Sequence, residues 1–182
     1  MNISTWFKNS KRTEAGLIVA PENFVLEKEI ILTGVDKSGD PDEVTILHAG
    51  KEFFTLDEAE ALQEQGYLPE GWRLPTVTEA GAWLTEFADK NLINPSGKIM
   101  AQLGLKLDGY IYPSMHIYNH CPTDREIVTS LVVDKMIEGR FWLMNDDGTN
   151  NYTYSLAVYM TKKPEIRKFN RSCGHSIRLV HD

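Results

Sequence analysis

The run Pro75-Thr76-Val77-Thr78-Glu79 leaves the chain around it little freedom. Thr76 and Glu79 stand at the spacing of a capping box. The hydroxyl accepts from the amide three residues on, and the carboxylate returns to the amide of the capping residue. Pro75 biases Leu74 toward extended backbone. A helix therefore starts at Val77, and the segment before it is extended. In Gly71-Trp72-Arg73-Leu74 the two apolar residues alternate with Arg73, as expected of a strand with one face in a core. Gly71 gives the backbone freedom before a bulky indole. A buried tryptophan at a helix start is the simplest reading of this stretch.

A second capping box, Thr55-Leu56-Asp57-Glu58, opens an earlier helix, with Leu56, Ala59 and Leu62 at helical spacing and Gly66 as its stop. The helix that begins at Val77 is expected to run to about Lys90, carrying Val77, Ala80, Leu84, Phe87 and Ala88 on one stripe. A short helical turn is expected over Ile99–Leu103. After residue 104 the period changes. Tyr110-Ile111-Tyr112, Ile127–Val133, Phe141–Met144 and Ser176–Val180 read as strands. The clearest strand is Tyr152–Met160, where Tyr152, Tyr154, Leu156, Val158 and Met160 alternate with the other face. Helices followed by loop-rich β-structure define an α+β fold.

Residues 1–43 read differently, as a β-rich N-terminal arm that serves assembly. Gly16–Ala20 and Phe24–Leu32 are β-like runs around the turn Pro21-Glu22-Asn23. Asp36–Asp42 is a loop by composition; it lacks the closing bidentate Glu of a calcium loop. Residues 44–182 form the domain proper.

Composition bounds the function. A net charge of −7 over 182 residues argues against a nucleic-acid role. Acidic residues concentrate in the first half, and Lys162, Lys163, Arg167, Lys168 and Arg171 make a late segment basic. This asymmetry suggests copies that meet acidic face to basic face in an oligomer. Cys121 and Cys173 lack the spacing of a zinc site, which leaves free thiols or one disulfide. No signal peptide or membrane span is read, so the expectation is a protein made in the cytoplasm without membrane insertion.

Four segments then fall into a familiar order: Gly71-Trp72-Arg73-Leu74-Pro75-Thr76, Leu103–Tyr110, Gly139-Arg140-Phe141-Trp142-Leu143-Met144, and Gly174-His175-Ser176-Ile177-Arg178-Leu179-Val180. Together they resemble the bacterial branch of the C-type-lectin-like fold. That superfamily includes the major paralogous domain of bacterial surface proteins, formylglycine-generating enzymes and the variable proteins of diversity-generating retroelements. The resemblance covers residues 44–182 and marks Gly71, Trp72, Arg73, Leu74, Pro75, Gly174 and Arg178 as fold-signature positions. It implies two helices packed on twisted antiparallel strands, chain ends brought together, and a loop-rich binding face.

The site expected on that face is Trp142 with the loop that follows: Asn145, Asp146, Asp147, Asn150, Asn151 and Tyr152. Its oxygen-rich side chains suit calcium, but a turn between strands explains them more simply. The calcium-chelating loops of true lectins of this fold are not in the sequence. Catalysis finds less support. The Gly-Gly-Ser-Trp segment of formylglycine-generating enzymes is missing, and neither Cys121 nor Cys173 sits in their motif. His116 and His120 lie at i and i+4, but Pro113 and Pro122 bracket them in a loop. The expectation is thus a non-enzymatic binding and display module without cofactor. It would be a homo-oligomer or part of a larger assembly, recognising a surface protein or glycan. The missing signal suggests a phage virion component such as a decoration, fibre or receptor-binding protein. A divergent formylglycine-generating-type enzyme and a calcium-dependent glycan-binding lectin are the alternatives.

Overall fold

The computed structural model describes residues 3–35, 44–88, 93–111, 132–146 and 153–182. The chain opens with α1 (Ile3–Asn9), β1 (Lys11–Arg12), β2 (Ile18–Val19), β3 (Ile30–Thr33) and β4 (Val44–Leu47). Next come α2 (Leu56–Glu64), β5 (Trp72–Arg73), α3 (Val77–Glu86) and α4 (Gly97–Leu103). The rest is β6 (Tyr110–Ile111), β7 (Val132–Val133), β8 (Glu138–Leu143), β9 (Tyr154–Tyr159), β10 (Glu165–Lys168) and β11 (Val180–His181). The fold is mixed α+β, and its paired strands run antiparallel.

Both expected capping boxes are formed, Thr55 with Glu58 and Thr76 with Glu79. The chain ends meet in the sheet ordered β1-β2-β11-β5, where Val180 lies between Val19 on one side and Arg73 on the other. The sheet β10-β9-β8 supplies the second layer of pairing. Every residue of β8 is buried, and alternate side chains serve opposite faces. Trp142 joins Trp6, Phe54, Leu62 and Trp72 in one apolar cluster. Phe141 and Leu143 join Trp83, Ile99, Leu156 and Val158 in another. One strand therefore ties two cores together.

Several elements differ from the sequence expectation, each for a local reason. Residues 3–35, expected as an arm, contribute Trp6, Phe24, Leu26, Ile30 and Leu32 to the first cluster, and β2 lies inside the central sheet. The helix α1 was not expected; its seven residues carry Trp6, 1 % exposed, into that cluster. Helix α3 ends at Glu86 rather than near Lys90. Beyond Phe87 and Ala88 the sequence offers Asp89-Lys90-Asn91 and no further stripe to bury. β8 begins three residues earlier than expected because Arg140 and Glu138 pair at 2.6 Å inside the protein. The last segment is extended but changes partners along its length. Ile177 and Leu179 accept from Phe24 and Ala20, and only Val180–His181 forms a regular strand. The first β-like run narrows to Ile18–Val19 and the second to Ile30–Thr33. Met1, the loop 36–42, and the strand residues Tyr112 and 127–131 lie outside the described residues.

Candidate functional site

The signature stretch is a junction of four segments. Trp72 is buried edge-on against Trp6 at 5.1 Å and lies 5.6 Å from His181. Gly71 has φ +76°, and a Cβ there would sit 2.6 Å from His181 Nε2. Only glycine satisfies both conditions without strain. The Leu74 amide donates to Gln63 of α2 at 2.8 Å. Arg73 points the other way. Its guanidinium forks onto Glu79 at 3.0 and 2.7 Å and reaches Asp182 at 2.6 Å. Glu79 also accepts from the Thr76 amide at 2.8 Å, so one carboxylate closes the helix cap and holds the arginine. Burial pushes the Glu79 carboxyl up, but Arg73 and Thr76 outweigh it and hold it below its ordinary range. The hydrogen bond to Glu79 is likewise the main reason the Arg73 guanidinium holds its proton more tightly than usual.

This junction carries the start of the candidate loop. Met144 donates to Pro75 O at 2.9 Å, and Val77 donates to Met144 O at 3.0 Å. Asn145 is half-buried and Asp146 exposed. Asp146 Oδ1 accepts from the Thr78 amide at 3.2 Å, in the first turn of α3. Burial raises this carboxyl, but hydrogen bonds from Thr76 and Thr78 together outweigh it and bring it below the usual carboxylate range. The loop therefore leaves β8 from a fixed base with an ionised carboxylate at its root.

Trp142 does not belong to that surface. It is 0 % exposed, stacked on His175 at 4.0 Å, and its indole N–H donates to Phe54 O at 2.6 Å. The expectation that it contacts a ligand is corrected: its place on β8 points it into the first core. Asp147, Asn150, Asn151 and Tyr152 lie outside the described residues, as do His116, His120 and Cys121. Among the described residues no group of His, Cys, Asp or Glu side chains is arranged to hold a metal.

The other signature positions are buried supports. Gly174 lies against Ile111 and Phe53. Arg178 is fully buried, donating to Ala20 O at 2.8 Å and to Gly104 O at 2.7 Å. Burial lowers its pKa to about 10, opposed by Asp108 and Glu22. It fastens three distant segments, which is why a charged residue stands in an apolar extended segment.

Sequence reasoning missed a polar cluster beneath Trp142. His175 Nδ1 lies 2.7 Å from the Ser155 hydroxyl, and both residues are fully buried. Phe169 and Tyr110 meet the imidazole edge-on, and its Nε2 has no hydrogen-bond partner. Arg140 stacks between Tyr110 and Phe169, 3.2 and 4.2 Å from the ring centres. Cys173 is a free buried thiol whose pKa burial pushes up. Twenty residues separate Ser155 from His175 in sequence, so no spacing rule could pair them. The hydroxyl–imidazole distance suits a nucleophile and its base, but neither group reaches solvent, and a neutral buried pair is what the burial favours.

No family model, no curated protein and no solved structure matches the chain. Among the described residues no helix is long and apolar enough to cross a membrane.

Proposed function

We propose that the chain is a C-type-lectin-like binding and display module without enzymatic activity. In this reading it acts as a phage virion component, a decoration, fibre or receptor-binding protein that recognises a surface protein or glycan. The observation that carries this reading is the seating of the loop after β8. Met144 is stitched to Pro75 and Val77, and Asp146 is held on the first turn of α3. The Asn-, Asp- and Gly-rich stretch of sequence after β8 thus begins at a hydrogen-bonded base, the kind of footing a recognition surface needs. The pairing of β2 with β11, which joins the two ends of the chain, supports the same class.

The test is binding of the full chain to a glycan array and to a panel of intact bacterial cells, with calcium or with a chelator, beside Asp146→Lys. Binding that Asp146→Lys abolishes without moving the unfolding midpoint is the expected result. Binding that survives the substitution places recognition on another face. Binding to neither surface overturns the recognition role, and loss only in chelator assigns calcium to the site.

A further inference from the structure

The hairpin of β3 and β4 has an outer face that the monomer does not explain. Residues alternate along both strands. Ile30, Leu32 and Leu47 are buried, whereas Ile31, Thr33, Val44 and Ile46 face outward. Ile31, Val44 and Ile46 are 53 %, 55 % and 51 % exposed. In antiparallel sheets with one solvated face the outward residues are normally polar. Here three of the four are aliphatic and β-branched.

The edges differ as well. The open side of β3 is covered by side chains: Gln65 accepts from the Thr33 amide and donates to its carbonyl, and the Tyr67 hydroxyl donates to Ile31 O. Ile31 and Thr33 therefore turn their backbone groups away from β4. By the alternation of an antiparallel ladder Ile30 and Leu32 bond to Leu47 and Thr45. Val44 and Ile46 must then direct their N–H and C=O groups outward, on the side of β4 that pairs with no strand among the described residues. Two other edges carry charge. β1 carries Lys11 and Arg12, and β10 carries Glu165, Arg167 and Lys168. Charged side chains are the usual defence of a free edge. The four residues of β4 carry no charge, and among the described residues no strand covers its outer edge.

We propose that this edge pairs with β4 of a second copy of the chain, antiparallel, about a two-fold axis at Thr45. That register places Val44 opposite Ile46 of the second copy and Ile46 opposite its Val44. The four outward backbone groups on each strand then find partners, as narrow hydrogen-bonded pairs. On the outer face it aligns Ile31 and Ile46 with Val44 and Thr33 of the second copy, and the symmetric row beside it, so the exposed aliphatics form one stripe. Ile31, Thr33, Val44 and Ile46 carry no charge, so two chains of net charge −7 meet there without like charges in contact. The shortness of the strand selects a weak dimer. Its contact falls below the roughly 1,200 Å² of a stable interface, so its dissociation constant is expected on the order of 10 µM or weaker. The pairing does not depend on the recognition role proposed above.

The test is sedimentation velocity on the full chain from about 10 µM to about 1 mM, a range that brackets such a constant. It is run on wild type, Ile46→Lys and Met160→Lys. Ile46 and Met160 are similarly exposed, 51 % and 56 %, so the second variant makes the same chemical change away from β4. Hydrogen exchange at low and high concentration follows the Val44 and Ile46 amides in the same samples. The expected result is a concentration-dependent dimer that Met160→Lys retains and Ile46→Lys weakens at least about tenfold. Both amides should exchange more slowly as the dimer forms. A wild-type chain that stays monomeric overturns the second copy as occupant, as does a dimer that Ile46→Lys leaves intact. A dimer in which the two amides exchange at unchanged rates overturns the strand pairing itself.

Discussion

Lowering the pH from 7.5 to 5.0 should destabilise the protein through His175. The imidazole is fully buried and stacked on Trp142. Burial, and secondarily the nearby Arg140 charge, hold its pKa well below the ordinary value of 6.5. The unfolded chain binds a proton at that histidine near pH 6.5, whereas the folded chain resists it. Stability from this group is therefore complete above pH 6.5 and is lost as pH falls toward the folded pKa. One proton costs at most about 1.4 kcal/mol per pH unit, so the loss by pH 5.0 can reach at most about 2 kcal/mol. The perturbed carboxyls act in a different window. Glu79 and Asp146 are held below their ordinary values, so what they contribute is lost only as pH falls through about 4.5 and below. Urea unfolding at half-unit steps from pH 7.5 to 5.0, on wild type and His175→Phe, isolates the histidine term. The phenyl ring keeps the stacking, so the variant loses stability overall but should lose the slope between pH 6.5 and 5.0. An NMR titration of wild type covers the case in which the variant does not fold: native His175 should titrate well below 6.5. Equal slopes in the two proteins, or a native His175 that titrates near 6.5, would refute the argument.

Three further outcomes follow from the junction and the core. Gly71→Ala should cost more than Gly66→Ala in urea unfolding. Both glycines have positive φ, +76° and +72°, but only a Cβ at 71 meets His181, at 2.6 Å, while the space at 66 is open. The shared backbone cost is about 1–2 kcal/mol, so the excess measures the contact. Trp6→Ala should lose about 3–5 kcal/mol, the cost of emptying a large buried aromatic site; a near-neutral effect would mean that the N-terminal segment is an appendage after all. Tyr159 bonds Glu165 at 2.8 Å, and burial pushes its pKa up to about 12. Its folded pKa lies above the unfolded value near 10, so stability should fall as pH rises from 10 to 12, less steeply in Tyr159→Phe.

What could be read from the sequence was what local chemistry decides. The capping boxes at Thr55 and Thr76 need only residues three apart, and both formed. The alternation over Tyr152–Met160 located a strand, which narrows to Tyr154–Tyr159, but both of its faces are buried; the pair Trp72–Leu74 is buried as expected. What depends on distant partners was not legible. Trp142 looked like the rim of a binding loop because it precedes Asn145 and Asp146, yet strand alternation turns it into the core between Phe54 and His175. Arg140 and Glu138 fell outside the expected strand Phe141–Met144, because each hides the other's charge only once β8 is folded. The Ser155–His175 pair needs β9 and a separate extended segment brought together. Residues 3–35 lacked any local sign that β2 would lie between β1 and β11.

The charge asymmetry shows the same limit and shifts the argument about assembly. In the sequence, an acidic first half and a basic late segment suggest neighbouring copies that meet face to face. In the fold, Arg171 binds Asp57 at 2.5 Å and Glu60 at 2.7 Å, and Lys51 binds Glu58 at 3.0 Å. Acidic α2 and the basic late segment are thus joined within one chain. An assembly built on opposite charges would weaken with added salt, because screening acts first on exposed charges. The edge of β4 offers backbone groups and aliphatic side chains instead, and salting-out ions strengthen such burial. A self-association that persists or grows with sulfate would therefore place the contact on the hairpin, and one that dissolves in salt would return it to the charged faces.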